Sequence, residues 1–229
     1  MLPSDVEDFL ALGLELMGLH LPEQAHALDR LALYFQELKK WNRKINLVAR
    51  NLDDRQILEK HFLDSLTLLS IINPENQAHE KVLDVGTGAG FPGLVLKTVC
   101  PKLEVVLIEP RRNRYYFLKQ VVRMLGLEGV ELLNDRLEKT AELQELSGRK
   151  FTLITSRAFT DINQFIELSL PYLALEGRIV CMKGPHAEKE LNFLRQRGMA
   201  GNLIVSEIKK LRLPFSKAER LLLALKISG

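Results

Sequence analysis

"KVLDVGTGAGFPGLVL", Lys81 to Leu96, decides how the rest of the chain is read. Gly86, Gly88, Gly90 and Gly93 follow directly on an apolar run with the character of a buried strand. Glycine at the end of a strand permits unusual φ and lets a ligand approach the backbone closely. In an open α/β sheet, ligands sit beyond the carboxyl ends of the strands, near the point where strand order reverses. The dinucleotide fingerprint G-x-G-x-x-G fails on its third glycine, where Phe91 stands, and the P-loop fails for want of Gly-Lys-Ser/Thr. Pyrophosphate is therefore not the obvious ligand.

The next apolar run ends in Glu109, 23 residues beyond Gly86. An acid there can accept hydrogen bonds from both hydroxyls of a ribose. Asp84, at the end of the first run, adds negative charge beside the loop, which repels phosphate and suits a cationic group. A ribose-bearing, phosphate-free, cationic ligand describes S-adenosylmethionine well and NAD poorly.

Outward from the loop, "LEVVLIEP", "VELLND", "FTLITS" and "GRIVCMKG" alternate with helical stretches, which predicts βαβ units and a parallel sheet. "LIVSEIKKL" and "ERLLLALKIS" follow with a short loop between them and read as an antiparallel edge hairpin. The fold expected is α/β: a mostly parallel seven-stranded sheet with a C-terminal hairpin, preceded by helices. Leu28, Leu31, Phe35, Leu38 and Ile45 mark one face of a helix from Pro22 to about Lys44. A second helix is expected from Asp54 to Ile72, capped by Asp53, with Ile57, Leu58, Phe62, Leu66 and Leu69 inward. "NPENQAHE", Asn73 to Glu80, reads as a linker. The division expected is a helical region, residues 1–75, and a cofactor-binding domain, residues 76–229.

Composition bounds the rest. A chain of 229 residues with 46% apolar and 27% charged residues belongs with ordinary globular proteins. No apolar run reaches the roughly 18 residues that cross a bilayer, and the N-terminus lacks a basic leader. Cys100 and Cys181 lie far apart, without neighbours at metal-ligand spacing, and read as buried thiols of a reducing compartment. A cytoplasmic location follows, with no metal expected. Residues 1–80 hold 8 basic against 13 acidic side chains, whereas the remainder holds 24 against 16. That asymmetry suggests that the second part faces a polyanion.

Seven motifs in order, "WNRKINL", "KHFLDSL", "DVGTGAGFPG", "RYYFLKQV", "DRLEK", "SRAF" and "MKGP", resemble the bacterial RsmG (GidB) family from about Trp41 onward. The resemblance implies a Rossmann-like class I methyltransferase. Such an enzyme moves a methyl group from S-adenosyl-L-methionine to N7 of a guanine in 16S ribosomal RNA, met as the small subunit or an assembly intermediate. It implies cofactor contacts at Gly86 and Phe91, turn-shaping roles for Gly88 and Gly90, and a ribose acceptor in Glu109. Leu137 and Glu138 match positions framing the adenine. Arg157 matches a residue at the mouth of the cofactor site, while Asn46, His61 and Lys183 match positions lining the target pocket. The chain departs from the family's Lys-Arg after the second strand, having Asn113-Arg114, with Arg111 and Arg112 nearby as substitutes.

The chemistry suits this reading. Guanine N7 carries a lone pair and no proton, so alignment with the methyl is needed and a general base is not. The base must be splayed out and held by donors to its O6, a role expected of Arg157 or Lys183. Each residue also has a plainer reading: His61 as a structural histidine satisfied by Asp64 or Ser65, Asn46 as a helix end, Arg111, Arg112 and Arg114 as ordinary surface. Three other functions compete: a small-molecule methyltransferase with the helices as a lid, a noncatalytic RNA-binding module and, weakest, a dehydrogenase.

Overall fold

A computed structural model describes residues 1–21, 23–72, 79–137, 146–157, 162–184 and 202–228. Seven strands form one sheet: β1 Lys81–Val85, β2 Glu104–Ile108, β3 Val130–Leu133, β4 Phe151–Ser156, β5 Leu173–Lys183, β6 Leu203–Arg212 and β7 Glu219–Ile227. Their order is β3-β2-β1-β4-β5-β7-β6. The first five run parallel, and β7 lies antiparallel between β5 and β6. The expected parallel sheet with a terminal hairpin is therefore present, and its order reverses between β1 and β4, which fixes where a ligand crevice opens.

Strand periodicity sends alternate residues to opposite faces. Val82, Val105, Leu107, Leu153 and Val180 join one apolar cluster with the N-terminal helices, while Leu83, Val106, Ile108, Ile154 and Ile179 join a second with Phe165 and Ile166. The first face is covered by α1 Pro3–Leu16, α2 Gln24–Asn42 and the helical segment that begins with α3 Asp54–Ile57. Helix α4, Gly93–Val99, which leaves the glycine loop, is buried along its whole length. Two further helices among the described residues join the layers: α5 Arg112–Met124, whose Phe117, Leu118 and Val121 are buried, and α6 Ile162–Ser169.

Helix α1 lies in the expected helical region, at its start, where the sequence marked no individual helix; Val6, Leu10 and Leu14, spaced by four, bury its inner face. Pro22 lies outside the described residues, and Glu23 serves as N-cap of α2 rather than lying in its first turn. The Asp53 cap holds as expected: its carboxylate accepts from the Gln56 N–H at 2.8 Å, and the Gln56 side chain returns to the Asp53 N–H at 3.1 Å. Beyond Ile57, however, the helix is not uniform. Leu58–Leu63 is π-helical, Asp64–Leu66 resumes the α form and Thr67–Ser70 tightens into a 3₁₀ turn. A π turn leaves backbone carbonyls open to other donors and often marks a functional site.

Candidate active site

Three glycines of the loop, Gly86, Gly88 and Gly90, take φ of +71°, +64° and +91°, a region that L side chains rarely adopt. Their surroundings differ. A Cβ at Gly86 would meet no atom within 4 Å, and one at Gly88 would meet only the Arg114 guanidinium at 3.6 Å. A Cβ at Gly90 would collide with the Tyr34 hydroxyl and with Leu94. Gly86 and Gly88 thus border open space, whereas Gly90 is bare because the helical layer presses on it.

Asp84 does not face that space, contrary to the sequence expectation. It is wholly buried, and its Oδ2 accepts from the Thr87 hydroxyl at 2.6 Å and the Gly93 N–H at 2.8 Å. Burial pushes its carboxyl up to about 6. The residue pins both ends of the loop from beneath. Across the cradle, Glu109 Oε2 accepts from the Gly88 N–H at 2.9 Å and Oε1 from the Arg111 N–H at 2.8 Å. Asn134 donates to the Glu109 carbonyl at 2.8 Å, fixing the turn that carries this carboxylate.

Phe91 is buried in an aromatic group. Its ring stacks on His61, with centroids 5.0 Å apart and planes at 21°, and meets Phe62 edge-on at 5.4 Å. Tyr34 stacks on Phe91 with centroids 6.1 Å apart, meets Phe62 edge-on at 5.2 Å, and donates its hydroxyl to the Ala89 carbonyl. The phenol sits well above its usual range because burial disfavours the phenolate. Tyr34 was absent from the sequence reading, although it lies beside Phe35 on the inward face of α2.

The Arg157 guanidinium, just past the end of β4, lies 5.1 Å over the Phe91 ring. It donates to the Lys60 carbonyl, within the π turn, at 3.1 Å, and lies 2.8 Å from His61 Nδ1. Asp64 joins this group: Oδ2 is 3.8 Å from Arg157, and Oδ1 accepts from Arg220 Nε at 2.7 Å. Neither Asp64 nor Ser65 satisfies the His61 ring; Ser65 donates to the His61 carbonyl instead, at 2.5 Å. Burial, aided by the cations Arg157, Lys60 and Arg220, lowers His61 to about 3. Among the described residues, Asp84 Oδ1, Ser156 Oγ and His61 Nε2 are buried without a hydrogen-bond partner. Two of these lie at the carboxyl ends of β1 and β4, where the strand order reverses.

Asn46 is exposed, and its carbonyl accepts from Arg114 at 3.2 Å. The helix-ending role belongs to Asn42, whose Oδ1 accepts from the Leu47 and Val48 N–H groups at 2.9 and 3.1 Å. Ile45, Asn46 and Arg111 to Arg114 line a cleft of about 290 Å³. Lys183 closes β5, Leu137 is buried beyond β3, and Glu138 lies outside the described residues. Among the described residues no group of three His, Cys, Asp or Glu is placed to hold a metal ion.

A seven-stranded sheet with one antiparallel strand, a bare glycine loop after β1 and an acid after β2 define a Rossmann-like methyltransferase. Solved structures agree at the level of fold. TrmN from Thermus thermophilus superposes with a TM-score of 0.56 at 14% identity, over 72% of this chain and 48% of its own. A precorrin-6y C5,15-methyltransferase from Geobacter metallireducens gives 0.54 at 14%, over 79% and 93%. Closer relationships lie in sequence. The family described as GidB, rRNA small subunit methyltransferase G, matches residues 27–222. A ribosomal RNA small subunit methyltransferase G from Desulfotalea psychrophila is 40% identical over 97% of this chain and 99% of its own. Its counterpart from a Geobacter species is 38% identical over 92% and 93%. The chain belongs to the GidB family. Family and fold together imply a cofactor of the S-adenosylmethionine type.

Proposed function

We propose that this protein transfers a methyl group from S-adenosyl-L-methionine to N7 of a guanine in 16S ribosomal RNA. The observation that carries this reading is the cradle itself: glycine backbone open at Gly86 and Gly88, faced by the Glu109 carboxylate. A Cβ on either glycine would stand in that space, and the Glu109 oxygens, buried and held on two N–H groups, keep lone pairs that ribose hydroxyls entering the cradle would engage. The residues present therefore fit the cofactor. Gly86 and Phe91 would border it, Glu109 would hold its ribose, and Leu137 with Glu138 would frame its adenine. When bound, the cofactor supplies an electrophilic methyl on a sulfonium. The division proposed is a helical region, residues 1–75, and a cofactor-binding domain, residues 76–229.

The chain's own part is orientation. Attack by N7 releases no proton, so no base is required, and the charged cluster suits that demand. His61 is neutral with Nδ1 occupied, and Asp64 is committed to two arginines. Asn46, His61, Arg157 and Lys183 are assigned to the target pocket. Arg111, Arg112 and Arg114 line the cleft beside the cradle and are assigned to RNA phosphates, which bind such clusters irrespective of sequence. No helix among the described residues is long and apolar enough to cross a membrane, in keeping with a cytoplasmic enzyme that meets the small subunit or an assembly intermediate.

The test is transfer of labelled methyl to small subunits lacking the modification, to free 16S RNA and to a low-molecular-weight extract, side by side. Label in one guanine of the RNA is the expected result. Label confined to the small-molecule fraction would replace the substrate assignment and leave the cofactor assignment standing.

A further inference from the structure

An arginine guanidinium can only donate hydrogen bonds, and it stays charged at every pH of interest. At 2.8 Å from the Arg157 guanidinium, His61 Nδ1 must therefore be the acceptor. A neutral imidazole with a lone pair on Nδ1 carries its proton on Nε2. Histidine ordinarily exchanges these tautomers and can present either a donor or an acceptor. Here the exchange is blocked, because moving the proton to Nδ1 would set two donors against each other. Protonating both nitrogens is also disfavoured, as burial and the neighbouring cations hold the ring neutral.

The resulting Nε2–H is buried and lacks a hydrogen-bond partner among the described residues. An unmet buried donor costs about 1–3 kcal/mol, a cost that an acceptor brought to this edge of the ring would remove. The ring cannot turn away to find one. It is stacked on Phe91, which belongs to the glycine loop, and its backbone lies in the π turn whose Lys60 carbonyl Arg157 also holds. Three contacts thus hold a fixed donor against the loop that forms the proposed methyl-transfer site.

We propose that Arg157 is a positioning residue that locks His61 as an Nε2–H donor, and that this donor recognises the O6 carbonyl of the target guanine. The inference rests on the function proposed above. Its consequence is specificity. Guanine presents an acceptor at position 6, whereas adenine presents an amino donor there. A histidine free to change tautomer could serve both bases; one locked by arginine serves guanine alone.

Two substitutions separate the donor from the ring. In His61→Gln, the side-chain amide can offer an oxygen to Arg157 and a donor near the Nε2 position. In His61→Asn, the amide reaches only as far as Nδ1. Methyl transfer to small subunits is measured for both, with affinity for S-adenosylhomocysteine measured by calorimetry. His61→Gln is expected to stay within about tenfold of wild type, and His61→Asn to fall about 10- to 100-fold below His61→Gln, the range set by one unmet donor or acceptor. Cofactor affinity should be unchanged in both. In parallel, ¹⁵N NMR of histidine-labelled protein should show His61 with a protonated Nε2 and a bare Nδ1, and Arg157→Ala should release it into a tautomer mixture.

Equal losses in the two His61 variants would overturn the proposal and leave a stacking role. A loss confined to cofactor affinity would overturn it by assigning the acceptor to the cofactor carboxylate. A protonated Nδ1 in the wild type would remove its basis. If wild-type protein methylated no RNA, the function reading itself would fall, whereas the NMR result would still decide whether Arg157 sets the tautomer.

Discussion

The two walls of the crevice are built on opposite plans. The cofactor wall is local: Asp84, the glycines and Glu109 fall within 26 residues of one another, and backbone N–H groups make most of its contacts. The opposing wall is assembled from distant side chains. Asp64 meets Arg220 across 156 residues, and Arg157 meets His61 across 96. A local wall can be lost one contact at a time. The assembled wall is a charge network in which each member leaves another unpaired, so damage there reaches the fold.

That contrast orders the expected effects. Asp64→Ala should be the most costly, about 3–5 kcal/mol, because it strands Arg157 and Arg220 beside a buried site; chemical denaturation measures it. If the cost were below 1 kcal/mol, the network would be ornamental and the contrast void. Gly90→Ala should follow at about 3 kcal/mol, combining overpacking against Tyr34 with left-handed strain. Gly86→Ala should cost only about 1 kcal/mol of stability while abolishing cofactor binding, and the pair of variants separates packing glycines from ligand-facing ones.

Glu109→Ala should weaken S-adenosylhomocysteine binding about 10- to 100-fold, the value of hydrogen bonds to a charged group, and should also cost about 1–3 kcal/mol of stability, because it leaves the Gly88 and Arg111 N–H groups unmet. A pH series sharpens the comparison from the other wall. His61 has an ordinary value of 6.5 and is lowered to about 3 in the fold. Between those values the unfolded chain binds a proton that the native state refuses. The stability that neutral His61 contributes is present above 6.5 and is lost as pH falls toward 3. Asp84, raised from 3.8 to about 6, acts in the opposite sense by favouring the native state as pH falls through its own window. The quantity to measure is therefore wild type minus His61→Gln, which cancels Asp84. It should decline by at most about 1.4 kcal/mol per pH unit below 6.5. Smallest of all, Arg111→Ala should leave stability within about 0.5 kcal/mol and reduce the salt slope of RNA binding by about one.

The sheet, its terminal hairpin and the glycine loop were legible because their signals are contiguous: an apolar run, a turn, an acid after the following run. Asp53 as a cap was legible for the same reason. The role of Asp84 was misread, since nothing in "LDVG" says whether a carboxylate points into a crevice or down onto Thr87 and Gly93. Tyr34 went unnoticed because its significance lies in the Ala89 carbonyl, 55 residues away. His61 was picked out by resemblance, Arg157 by resemblance and by its place at the carboxyl end of a strand, and their contact is a property of packing. The one local hint was the spacing of His61 and Asp64 in "KHFLDSL".

Helix α4 is buried along its whole length, between the sheet and the N-terminal helices, and it carries the glycine loop on its leading end. In mechanical terms the loop is bolted to a beam rather than hung from a hinge. Swinging the two walls apart would mean prising open the apolar layer that holds Phe35, Phe62, Leu94 and Val95. Among the described residues, this side of the crevice does not swing like a jaw. A base is brought to a fixed loop, and the looseness of the RNA at the target becomes part of what the enzyme selects.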